Sequence, residues 1–415
     1  MKLIIIYLSI GLTIAKTILH ASEPRRLDGP FLTSLRAEAV AHHPTAIAAS
    51  LRASAASRDV RAVRLWEDPS MGLALMAAES EKRHSDGDIR IGWEQALPKR
   101  GLFAAKEAKA SATQRAEFDS SQSSRLEIGA ETARNAIELA LTDESIAIQS
   151  ELISWLVTMV GDAKQSALAP DGNSINALRL DAELAREKQA LDAVQRTRQS
   201  VAQRLNLDLG RSLESPWPTL RLSTSPPPVP IARAEIARIT RANLKVRSAV
   251  EMVSVANAES RIAHLERQPQ LSVAVDAEIY SGGDFRSATL GLKMSLPYFN
   301  RSASAATVEA ARLREKAAAM EVEATRKAVA SAVLSAVDQV ANANAQARAY
   351  AGEIYQRELQ ASQAEEARWI SSKGSLLDLL VSRKNLLATQ LEIRRFIAMQ
   401  WAALEDLNQL VPERP

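Results

Sequence analysis

The chain contains no cysteine. Disulfides, thiolate metal sites and a lipid anchor on an N-terminal cysteine are therefore excluded. Aromatic residues make up only 4% of the 415 residues, and there are only 15 glycines. A chain so poor in both, and rich in alanine, leucine and charged residues, leans toward long helices or coiled coils rather than a compact globule. The formal net charge is only +3 and no basic tract stands out, which argues against a nucleic-acid partner. The histidines, at positions 20, 42, 43, 84 and 264, show no metal-ligand spacing. His42-His43 reads as a polar helix surface. The phosphate-loop glycine–lysine pattern and the Gly-x-Ser-x-Gly elbow are both missing. These absences give no support to catalysis, to a bound metal or to a cofactor.

Long apolar runs are also missing, except at the start. Residues 1–22 combine Lys2, an apolar run from Leu3 to Ala15 and the small pair Ala21-Ser22. This reads as a secretory signal peptide. The alternative is an N-terminal membrane helix, but Lys16 interrupts the run before it can span a bilayer core of about 30 Å. No later stretch reaches 18 apolar residues, so a membrane crossing by the mature chain requires strands.

What the chain does have, it has twice. At an offset near 200, "EDPSMGLAL" around Pro69 matches "RQPQLSVAV" around Pro269, and Leu205-Asn206 matches Leu407-Asn408. "GWEQALPKR" (Gly92 to Arg100) matches "GLKMSLPYFNR" (Gly291 to Arg301). Such self-similarity marks a tandem duplication. The first repeat spans 23–212 and the second 231–411, with a tail at 412–415. Between the repeats, 213–230 contains six of the chain's 16 prolines and reads as a linker.

Each repeat has the same expected order. A first helix runs from about Leu32 to Leu65, and again from about Ile231 to Leu265. A β-hairpin follows at about 70–97 and 270–297. A long helical hairpin closes each repeat, at 100–210 and 302–410. Leu184, Leu191, Val194, Val201 and Leu205 follow heptad spacing, as do Leu386, Ile393, Phe396, Ala403 and Leu407. A helix of ~65 residues would be about 100 Å long, far beyond a globular helix.

The strands alternate. Leu271, Val273, Val275, Ala277 and Ile279 share one face, and Ser272, Ala274, Asp276 and Glu278 the other. Ile89, Ile91 and Trp93 oppose Arg90, Gly92 and Glu94. Hairpins of this length suit a membrane wall or one face of a soluble core. The absence of an apolar helix favours the membrane. Four strands cannot close a barrel, and an open edge in lipid costs several kcal/mol per unpaired backbone group. Other copies must complete the wall. Two copies give eight strands with a filled interior; three give twelve, with room for water. The expected fold is therefore mainly α, with a trimeric twelve-helix tube continuing a twelve-stranded barrel. Pro98 and Pro297 mark the strand-to-helix crossings, where proline suits the first turn of a helix.

This ordered series resembles the TolC-type outer-membrane efflux family. The likeness rests on "HPTAIAASLRASAASRDVRAVRLWEDPSMGLAL", "GWEQALPKRGLFAAKEAKA", "SATLGLKMSLPYFNRSASAATVEAARLREKA" and "RWISSKGSLLDLLVSRKNLLATQLEIRRF". The wording "LPYFNR" looks most like the branch serving heavy-metal and related cation efflux. The resemblance implies a homotrimeric duct in the outer membrane of a Gram-negative bacterium, with a helical tube in the periplasm. Its tip would dock on a periplasmic adaptor, which links it to a proton-driven inner-membrane pump. Trp369, Ser375, Asp378, Leu379 and Leu380 match the family's tip pattern, while Ser372 departs from its glycine and Gly374 lies close by. The resemblance makes Asp378 a candidate for the periplasmic constriction, against the plain reading of a solvated acid at a helix N-terminus. Val381 stands where some members have a second acid. Asp171, Gly172, Asn173, Lys373, Gly374 and Ser375 are the candidate adaptor-docking tip. A competing class is a periplasmic coiled-coil adaptor, but that would show one helical hairpin flanked by several β-domains.

Overall fold

A computed structural model describes residues 24–76, 88–168, 174–223, 233–279, 285–295, 300–371 and 373–411. The expected leader and tail lie outside these residues. The elements come in the order β1 (Arg25–Leu27), α1 (Gly29–His42), α2 (Pro44–Ala62), β2 (Ser70–Met76), β3 (Asp88–Ala96), α3 (Leu102–Ala167) and α4 (Ser174–Asp208). The series then repeats as β4 (Leu220–Leu222), α5 (Arg233–Ala242), α6 (Leu244–Glu266), β5 (Leu271–Ile279), β6 (Phe285–Met294), α7 (Arg301–Ala349), α8 (Tyr355–Ile370) and α9 (Leu376–Leu410).

The expected single first helix is two helices in each repeat. His43 is extended (φ −69°, ψ 125°) because it precedes a proline, and Pro44 opens α2, where a missing N–H costs nothing. The second repeat breaks 200 residues later without a proline. Asn243 is extended there, and its side chain accepts a 3.0 Å hydrogen bond from the Lys245 N–H, capping α6. The 213–230 stretch is also not wholly irregular. Within it Leu220–Leu222 pairs in parallel with Arg25–Leu27. Asp143 holds this strand: it pairs with Arg198 and accepts the Leu220 N–H at 2.7 Å. Trp217 Nε1 donates to Asn206 at 2.7 Å.

The helix α3 has 66 residues and is therefore about 100 Å long. Its counterpart at the start of the 302–410 hairpin is not one unbroken helix. A π-helical turn, Tyr350–Ile354, separates α7 from α8, and there Tyr350 packs at a tilt against Phe396 with ring centroids 4.9 Å apart. Such a turn holds one residue more than an α-turn and re-aims the helix beyond it.

The helix α3 is the spine. Toward the strands it lies between α2 and α6, with α7 beyond α6; toward the other end it lies between α4 and α9, with α8 beyond α9. Alanines, including Ala105, Ala112, Ala116, Ala133, Ala136 and Ala140, fill its buried face, so neighbouring helices approach closely. The main core lies midway, where Leu27, Leu32, Leu139, Leu205, Leu220 and Trp401 bring both repeats and the β1–β4 pair together. None of the described helices is long and apolar enough to cross a membrane.

Candidate functional site: the four-stranded sheet and the helical tip

The two hairpins form one antiparallel sheet in the order β2–β3–β5–β6, so the repeats join through β3 and β5. The register places Met71, Trp93, Val275 and Leu290 in one cross-strand row and Leu73, Ile91, Ala277 and Ala288 in another. With Leu75, Ile89, Leu292 and Met294 they make one continuous apolar face. Leu73, Leu290 and Leu292 are 72%, 76% and 69% exposed, so nothing among the described residues covers that face.

The opposite face is polar and carries charged side chains, with Lys293 and Arg90 exposed. Glu94 takes hydrogen bonds from Lys293 Nζ and Ser272 Oγ, both at 2.6 Å. Arg90 Nε donates to Glu278 at 3.0 Å, and Ser287 Oγ donates to the same carboxylate at 3.3 Å. Gly92 belongs to this face. A Cβ there would stand 2.7 Å from Asp276 Oδ1, so glycine makes room for that carboxylate. Among the described residues, β2 and β6 each pair on one side only. The sheet thus has an apolar face, a polar face and two open edges.

Pro98 stands in the connection between β3 and α3, not in the first turn of the helix as expected. The turn residue is Gly101 (φ 80°), a left-handed conformation natural to glycine, and α3 begins at Leu102. Lys99 Nζ donates to the Glu266 carbonyl at 3.1 Å, tying this crossing to the end of α6. Pro297 lies outside the described residues.

At the far end, Leu152, Leu156, Leu180, Leu376 and Leu379 form a second core on which Trp155 and Trp369 pack. It joins α3, α4 and α9 with the end of α8. Ser375 caps α9, accepting the Leu377 N–H at 3.2 Å. Asp378 is exposed in the first turn of α9, without an ion pair among the described residues. Gly374 is sterically required: a Cβ would meet the Trp369 nitrogen at 2.9 Å and the Arg368 carbonyl carbon at 3.0 Å. Lys373 is exposed, and its N–H closes the turn on the Arg368 carbonyl at 2.9 Å. Asp171, Gly172, Asn173 and Ser372 lie outside the described residues.

Sequence reasoning missed the ion pairs that bind this end together. Lys384 on α9 pairs with Glu183 and, at 2.9 Å, Glu187 on α4. Arg383 pairs with Glu151 on α3 at 2.7 Å. The Lys384 hydrogen bond holds the Glu183 carboxyl below its usual range, against a smaller opposing effect of burial. No group of three or more potential metal-ligating side chains occurs among the described residues.

No protein-family model and no curated protein matches the chain. Its fold is nevertheless found among solved structures. A membrane protein from Pseudomonas aeruginosa superposes with a TM-score of 0.80 at 16% identity, covering 91% of this chain and 89% of that one. CusC, a protein described by its transmembrane channel formation, gives 0.79 at 15%, covering 92% of each chain. The outer membrane protein VceC from Vibrio cholerae gives 0.77 at 16%, covering 92% of this chain and 96% of that one. The two-faced sheet, the long helices and the doubled order thus belong to a known architecture, and this chain has the fold of the TolC-type outer-membrane efflux channels.

Proposed function

We propose that this chain is the outer-membrane component of an efflux assembly. Three copies would place their sheets edge to edge, β2 against β6 of the next, closing twelve strands into a barrel. Their helices would continue that barrel as a tube in the periplasm. The observation that carries the reading is the sheet itself, with one bare apolar face, one charged face and two open edges. Lipid suits the first, water the second, and only further strands suit the third.

On this reading the duct is passive. Its energy comes from a proton-driven inner-membrane pump, reached through a periplasmic adaptor. Asp171, Gly172, Asn173, Lys373, Gly374 and Ser375 form the docking tip, and the cargo is a small molecule or a metal cation. Asp378, exposed at the start of α9, supports an acidic constriction, because three-fold repetition would bring three carboxylates around one axis. The test is conductance in planar bilayers. The wild-type protein should form water-filled, cation-preferring channels, and Asp378→Asn should weaken that preference. Equal preference in both forms removes Asp378 from the constriction; no conductance at all removes the duct.

A further inference from the structure

We propose that the rim of the sheet nearest the helices is a seat for anionic phospholipid headgroups. The proposal rests on the reading of the sheet as a membrane wall. The apolar face ends there, with Trp93 on β3, Leu271 on β5 and Met294 on β6. Just beyond it, the end of α2 and its connection read Arg61-Ala-Val-Arg64-Leu65-Trp66. Leu65 and Trp66 are each 50% exposed beside exposed Arg61 and Arg64. Arg64 pairs with Asp68, at 2.7 Å and in full view of solvent. Lys99 and Arg100 follow β3, and Arg267 follows α6; Arg100 and Arg267 are exposed and carry no ion pair among the described residues.

This order, an apolar band, then an exposed indole, then cations, is the layering of a membrane–water interface. In the sequence, the segments 77–88 and 280–284 that link the strands of each hairpin carry Glu79, Glu81, Asp86, Asp88 and Asp284 against Lys82 and Arg83. A headgroup with net negative charge, such as phosphatidylglycerol, is drawn to the cationic rim, while a zwitterionic headgroup gains less. Each surface cation contributes about fivefold in affinity, from roughly 1 kcal/mol per Lys or Arg near an anionic surface.

The test uses the full chain in mild detergent, with phosphatidylglycerol or phosphatidylethanolamine of matched acyl chains, and counts retained lipids by native mass spectrometry. The wild-type protein should retain phosphatidylglycerol preferentially. Arg100→Gln with Arg267→Gln should cut that preference by at least tenfold, Arg100→Lys with Arg267→Lys should keep it, and Arg357→Gln on α8, away from the sheet, should leave it unchanged. Equal retention of the two lipids, or a preference that survives the double glutamine substitution, overturns the seat. A protein found in the membrane but without lipid preference defeats this proposal alone. A protein released wholly into the soluble fraction defeats the membrane wall as well.

Discussion

Glu94 on β3 and Lys293 on β6 meet at 2.6 Å across the intervening strand β5, whose Ser272 hydroxyl donates to the same carboxylate. The contact joins residues 199 positions apart and exists only because the two repeats share one sheet. It marks the face that keeps its charges, and it makes the two faces of the sheet unequal in what they tolerate.

Substitutions on the two faces should therefore part company. Leu73→Arg or Leu292→Arg puts a cation on the bare apolar face, at about 2–4 kcal/mol if the site lies near the bilayer midplane. Lys293→Met on the other face removes a partner from a wetted ladder and should leave insertion intact. Carbonate-resistant membrane protein is the readout. We expect it to fall for the two arginine variants and to stay near wild type for Lys293→Met.

A buried pair between repeats should govern thermal stability. Arg36 on α1 pairs with Glu405 on α9, whose side chain is 2% exposed. Burial raises the Glu405 carboxyl above its usual range, and Arg36 only partly offsets this. A raised acid stabilises fully below the unfolded glutamate pKa and loses that contribution as pH rises through its folded value. Glu405→Gln should accordingly hold or improve stability at neutral pH. Arg36→Met leaves the carboxylate buried without its cation and should cost about 3 kcal/mol. Thermal denaturation of both variants at pH 5 and pH 8 checks the sign.

Acid should act in the opposite sense at the tip. The Glu183 carboxyl is held low by Lys384, so its contribution is present above the ordinary glutamate range and is lost as pH falls through the depressed value. Below about pH 4 the α4–α9 contact should loosen before the midway core does. Hydrogen exchange along 376–390 should rise first. Glu183→Gln should show that loosening already at neutral pH.

Gly374 should resist replacement. Alanine would press on the backbone of Arg368 and Trp369, so Gly374→Ala should cost more than about 1 kcal/mol and open the α8–α9 turn to proteolysis. Gly352, whose Cβ direction is open space, serves as the control and should accept alanine with little change.

Much of the fold was legible because its signals are periodic. Alternation in 271–279 and 285–294 marked strands, heptads marked the helices, and the offset of 200 marked the repetition. What escaped the sequence depended on contacts between distant segments. The Asn243 break has no proline to announce it. Leu220–Leu222 reads as linker until Arg25–Leu27 and Asp143 are beside it. The π-helical turn depends on how Tyr350 and Phe396 meet, a contact between segments the sequence does not pair. The Glu94–Lys293 and Glu183–Lys384 pairs require knowing which strands and helices are neighbours. Pro98 lies between β3 and α3, but the turn into the helix is made by Gly101, whose positive φ the sequence does not announce. At the tip, the value of Gly374 was visible only once Trp369 lay against it.

The central claim is that copies of this chain complete one another's sheet. The most direct measurement is the mass of the intact assembly in mild detergent. Three chains per particle is the predicted result; a particle of one or two chains, stable and membrane-inserted, would contradict it.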